Sequence, residues 1–115
     1  MRVANAVTLR QNFEFRRAYH RGKSVVGPQL VSYCFKNKAK GGRVRIGVTA
    51  AKKVGGAVQR NRCRRVIKEA YRAVSPRVAG GWDLVFVART GTLKCTSTQI
   101  AEVMEKQLKK AGVIA

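Results

Sequence analysis

The chain has 115 residues, room for one domain and one core, and its hydrophobic fraction of 45% excludes a disordered basic tail. Twenty-five Lys and Arg against five Asp and Glu leave a formal net charge of +20. A compact domain so charged repels itself, so a polyanionic partner, nucleic acid before any other, is the expected counterweight. Residues 1–8 read as loose and the whole of 1–115 as a single domain. A short helix is predicted over 12–19, capped by Asn12 and stopped by Gly22, with Phe15 and Tyr19 at i, i+4 on one face.

Strands are predicted over 23–26 and 29–36, separated by Gly27-Pro28. In the second, Val31, Tyr33 and Phe35 fall on one face and Leu30, Ser32 and Cys34 on the other. A loop at 38–42 leads to a strand over 43–50, where Val44, Ile46, Val48 and Ala50 alternate with Arg43, Arg45, Gly47 and Thr49. After Lys52-Lys53-Val54-Gly55-Gly56, a long helix is expected over 57–74, ending before Pro76. Its buried stripe is Cys63, Val66, Ile67, Ala70, Tyr71 and Val74. A short apolar strand over 83–88 follows. Thr96 and Gln99 form a capping box for a last helix reaching about residue 111, with Ile100, Val103, Met104, Gln107 and Leu108 on one face. Helix, three strands, helix, strand, helix suggests a sheet with two helices on one face and the first helix near the other face or edge.

Residues 43–72 carry ten basic side chains and a single acid, Glu69. Arg60, Arg64 and Lys68, four apart on the long helix, make a stripe of ~12 Å, flanked by Arg62, Arg65 and Arg72. A helix optimised for its own stability would place acids in the first turns, where the macrodipole disfavours cations. Like charges at i, i+4 also repel. A row of phosphates would offset both costs, and guanidinium holds phosphate through two donors and stacks on bases. Asn61, between the arginines, offers donors and an acceptor for a ribose or for fixing a loop. The aromatics Phe15, Tyr19, Tyr33 and Phe35 could line a cleft that stacks single-stranded bases. Spacing alone slightly favours plain core packing for them, and leaves open whether Phe35 belongs to cleft or core.

Catalytic chemistry is poorly represented. The acids Glu14, Glu69, Asp83, Glu102 and Glu105 are scattered, and His20 is the sole histidine. Cys34, Cys63 and Cys95 form no CxxC, so no four-ligand zinc site is expected and free, largely buried thiols are. No apolar run nears the ~20 residues that span a bilayer and no signal-peptide pattern opens the chain, so no membrane partner and a cytoplasmic location are expected.

The run from Arg45 to Glu69, with Lys52-Lys53-Val54-Gly55 followed by Arg60-Asn61-Arg62, closely resembles the signature of the bacterial ribonuclease P protein family. Weaker resemblance extends over about residues 9–108, including Phe15, Gly22-Lys23-Ser24, Tyr33 and Val87-Ala88-Arg89. The resemblance implies an α/β (α+β) two-layer sandwich with a mixed four-stranded sheet and a left-handed β-α-β crossover. It implies that the protein, monomeric when free, docks on the catalytic RNA of ribonuclease P through Arg45, Lys52, Lys53, Arg60, Asn61, Arg62, Arg64, Arg65 and Lys68. A cleft of Phe15, Tyr19, Val31 and Tyr33 would take the 5′ leader of precursor tRNA. Catalytic groups and magnesium would then belong mainly to the RNA. The sequence departs from the family at Gly56 and Ala50-Ala51, which stand in place of more polar residues. Leu30 and Ser32, smaller than the family's residues, predict a looser core. The rival readings are a ribosomal or general RNA-binding protein, with no use for the cleft, and a metal-dependent nuclease active without RNA.

Overall fold

Alternation along the strands decides which way each face of the sheet looks. The computed structural model describes residues 6–8, 12–37, 44–78 and 80–115. The loop expected at 38–42, Arg43 at the start of the next strand, and the capping side chain of Asn12 lie outside the described residues. The elements are β1 (Ala6–Thr8), α1 (Asn12–Arg21), β2 (Lys23–Val26), β3 (Leu30–Lys36), β4 (Val44–Thr49), α2 (Ala57–Val74), β5 (Trp82–Ala88) and α3 (Ser97–Ala111). Single 3-10 turns at Lys52–Val54, Ser75–Arg77 and Thr90–Lys94 join them.

The sheet order is β1-β4-β5-β3-β2. β5 pairs antiparallel with β3 and parallel with β4, and α2 makes the crossover between the two parallel strands. These four expected strands form the mixed sheet. β1 adds a short fifth at its edge, parallel to β4, within the stretch read as loose. Three residues carry too little pattern to read as a strand; the open edge of β4 supplies the partner.

On one face Leu30, Cys34, Ile46, Leu84 and Phe86 meet Ile67 and Tyr71 of α2 and Met104 and Leu108 of α3 in the main core. The expected stripe of α2 is buried throughout except Val66, which is half-buried. α2 starts after Gly55, whose φ of 151° lies where L-residues are strained, and gives way to the turn at Ser75-Pro76. α3 opens on the expected capping box, with the Gln99 N–H donating to Thr96 Oγ1 and the Thr96 N–H to Gln99 Oε1.

The core is not loosened at Ser32. Its hydroxyl donates to Gln107 Oε1 at 2.6 Å, and Gln107 Nε2 donates to the Leu30 carbonyl at 2.8 Å. A buried polar pair with both partners satisfied ties α3 to β3, where a bulkier apolar residue would only fill space.

The three cysteines are free, Cys34 and Cys63 buried and Cys95 half-buried. Burial pushes the Cys34 thiol up to about 12, with the charge of Lys23 offsetting only part. A thiol reagent at mildly alkaline pH should therefore modify Cys95 first and reach Cys34 and Cys63 only on unfolding. Peptide mass mapping over time checks this, and early labelling of Cys34 would contradict it.

Candidate nucleic-acid interface

The cations of α2 divide around its buried stripe. Arg60, Arg64 and Lys68 are partly buried along one flank, while Arg62, Arg65 and the first turn of α3 frame a groove on the other. That groove, about 640 Å³, is lined by Arg62, Arg65, Val66, Glu69, Thr96 and Ser97. The single stripe expected from spacing is thus one of two basic edges. Arg62 is steadied by donating to the Leu93 carbonyl at 3.3 Å, and Arg64 donates to Asn61 Oδ1 at 2.9 Å. Asn61, itself exposed, therefore orients an arginine. Arg60 keeps a buried Nε–H with no acceptor among the described residues. Gly56 caps α2 without a side chain and no acid lies in the first turn, so the helix start is left electropositive beside exposed Lys52 and Lys53.

The opposite face of the sheet carries the aromatic set. Strand register places Val31, Tyr33 and Phe35 of β3 beside Val87, Val85 and Asp83 of β5, which in turn lie beside Thr49, Gly47 and Arg45 of β4. α1 packs there through Ala18, which is fully buried against Val85 and its neighbours. Phe15 lies directly over Gly47, where a Cβ would overlap its ring. Tyr19 stands edge-on to Tyr33 at 4.8 Å and tilted to Phe15 at 6.5 Å. Beside them Phe15, Arg16, Tyr19 and Thr49 line an open groove of about 420 Å³. The four expected cleft residues therefore share one face. Phe15 and Tyr19 line the groove, Tyr19 being the more open at 38% exposure, while Val31 lies on the same face but is nearly closed at 7% and is not part of the groove's lining. Phe35 belongs to this face and not to the main core, but sits beneath the Arg17 guanidinium, 5.0 Å from its ring centre.

Asp83 closes the far end of that face. It is fully buried, and Arg45 grips it through two hydrogen bonds of 2.9 and 2.8 Å. Asn37 Nδ2 donates to it at 2.6 Å, and Arg17 reaches it from α1 at 3.3 Å. Arg45, expected among the contacts to catalytic RNA, is thus on the aromatic side of the sheet and committed to Asp83. Asp83 is the residue that sequence reasoning passed over as one scattered acid. Period-two alternation puts it on the same face as Val85 and Val87, but only strand pairing brings it beside Arg45. Arg16 and Thr49 were missed for the same reason. Among the described residues, no group of His, Cys, Asp and Glu side chains is assembled that could hold a metal ion. No helix there is long and apolar enough to cross a membrane.

The family model for ribonuclease P matches residues 3–112. The chain belongs to the ribonuclease P protein family. The ribonuclease P protein component of Clostridium novyi is 42% identical over 105 residues, covering 91% of this chain and 93% of its own. That of Clostridioides difficile is 39% identical over 106 residues, with 91% of each chain covered. The solved RNase P protein of Staphylococcus aureus superposes with a TM-score of 0.81 at 32% identity, over 94% of this chain and 97% of its own. Family membership makes the chain an RNA-binding ribonuclease P protein component.

In this ribonuclease P protein, Asp83→Asn should destabilise the fold. The change leaves two guanidinium groups facing a neutral amide. Both reach solvent, at 32% and 24% side-chain exposure, so the loss should be about 1–3 kcal/mol, below that for a fully buried pair. Urea unfolding measures it, and a midpoint equal to that of the parent protein would contradict the role given to Asp83.

Proposed function

We propose that the chain docks on the catalytic RNA of ribonuclease P through α2 and the Lys52–Val54 turn. On the other face of the sheet, it holds the 5′ leader of precursor tRNA in the aromatic cleft. The observation that carries the reading is the placement of these two surfaces back to back. A basic helix whose first turn is uncapped by any side chain and free of acids covers one face, and a half-open aromatic groove lies on the other. Docking on one RNA therefore leaves the cleft free for a second strand.

The division of labour follows from side-chain chemistry. Arginines at the helix start meet phosphates that offset the unfavourable dipole and their mutual repulsion. Tyr19, Tyr33 and Phe15 offer ring faces and edges to unpaired bases, a contact tolerant of sequence. Asp83, the fully buried carboxylate, is already surrounded by Arg45, Arg17 and Asn37, and the described residues do not fit a metal ion. In this reading magnesium and the groups that cleave the phosphodiester belong mainly to the RNA subunit, and the protein's part is to bind and position. The work takes place in the cytoplasm, where precursor tRNA is processed, by a protein that is monomeric when free.

Reconstitution with the RNA subunit tests the reading, since purified protein with magnesium should release no leader until that RNA is added. Arg60→Ala or Arg64→Ala should weaken assembly and reduce its salt dependence by roughly one phosphate contact each. An unchanged salt slope would remove those residues from the docking surface. Tyr33→Ala should weaken binding of leader-bearing precursor by ~1–3 kcal/mol and leave mature tRNA unaffected. Equal loss with both substrates would return Tyr33 to a packing role and favour a general RNA-binding protein.

A further inference from the structure

We propose that the outer side of α1 is a backbone-tracking ridge. It would take the phosphates of leader nucleotides lying beyond those stacked in the cleft, and the inference rests on the cleft reading above. α1 turns its apolar side to the sheet through Phe15 and Ala18, and Arg16, Arg17, His20 and Arg21 follow one another along the rest of its C-terminal half. Arg16, Arg17, His20 and Arg21 line a second groove of about 310 Å³ on that helix. Arg16 also lines the aromatic groove with Phe15, Tyr19 and Thr49, so the two grooves are continuous through one arginine. A strand leaving the cleft past Arg16 runs onto His20 and Arg21, one helical turn on, about 6 Å along the axis.

The four side chains are not equivalent. Arg17 is held inward by Asp83 and lies over Phe35. Arg16, His20 and Arg21 are exposed and make no ion pair with any described residue. The macrodipole favours His20 and Arg21 in the last turn, yet it gives no reason for Arg16 and Arg17 further in. Arg16 and His20, like Arg17 and Arg21, are also spaced to repel when both are charged. A chain of phosphates satisfies all three outward groups together. Because α1 lies across the sheet from α2, this ridge is available while α2 holds the catalytic RNA.

The test uses holoenzyme reconstituted with the RNA subunit. Its substrates are a precursor with a short leader that fills only the cleft, one whose leader is several nucleotides longer, and mature tRNA. H20Q/R21Q should weaken binding of the long-leader precursor several-fold and leave the other two unchanged. Its salt slope for the long leader should be shallower by roughly 0.7 for each phosphate contact removed, the single-strand coefficient. Equal loss with short and long leaders, loss with mature tRNA, or an unaltered slope would each overturn the ridge. Y33A serves as the separate reading of the cleft. If Y33A lowers leader affinity and H20Q/R21Q does not, the ridge alone falls; if Y33A has no leader-specific effect, the cleft reading falls and takes the ridge with it.

Discussion

A domain with a net charge of +20 has few carboxylates to spend on its own cohesion, and among the described residues the one it buries completely is Asp83. Burying a carboxylate is unfavourable unless it is paired and hydrogen-bonded. Arg45 from the adjacent strand, Asn37 just past β3 and Arg17 from α1 together meet that demand. Three separate segments are thereby tied at one point, and α1 is drawn onto the sheet through Arg17, two residues along from Phe15. Between the Asp83 tie and the seat of Phe15 on Gly47, the helix has little freedom to slide. The spacing of Tyr19 and Tyr33, and so the opening of the groove between helix and sheet, depends on that double anchorage. The exposed acids contribute far less: Glu69 meets Arg72, and Glu105 meets Arg77 and Lys109, all at the surface where such pairs are worth little.

The remaining cations are left to the outside, and the fold sorts them by face. α2 pays for its arginines in dipole and repulsion terms, and its hold on the core through Cys63, Ile67, Ala70 and Tyr71 is what keeps a helix of that charge in place. Packing rather than intrinsic helix stability sustains it. The helix can therefore present an unfavourable charge distribution to solvent as a standing feature, ready to be neutralised from without. The aromatic side follows a different economy. Its side chains are partly covered by one another and by α1, so only their outer edges remain open.

Much of this was legible in the residue pattern. The bounds of α2 coincide with the expectation because the apolar period, the Gly55-Gly56 turn and Pro76 all point to the same ends. Strand faces follow from period two, which correctly separates Val31, Tyr33 and Phe35 from Leu30, Ser32 and Cys34. The family resemblance, carried by residues 45–69, agrees with the family match over 3–112. What could not be read depends on contacts between distant segments. Arg45 looks like one more surface cation until β4 is laid against β5, and Phe35 cannot be assigned until the path of α1 is known. Ser32 reads as a deficit of volume until Gln107 is seen opposite it. β1 is too short for any periodicity, and its partner strand lies far along the chain.

The parallel strand β4 has a consequence for how tightly the two faces are coupled. Its residues alternate between them: Val44, Ile46 and Val48 support the α2 side, while Arg45, Gly47 and Thr49 build the aromatic side. One strand thus encodes both surfaces in a single reading frame of side chains. Sliding it by one residue against β5 would turn every side chain over, putting Arg45 into the apolar core and taking Gly47 from under Phe15. Neither surface can drift in register independently of the other, so the two halves of the molecule are constrained to change in step.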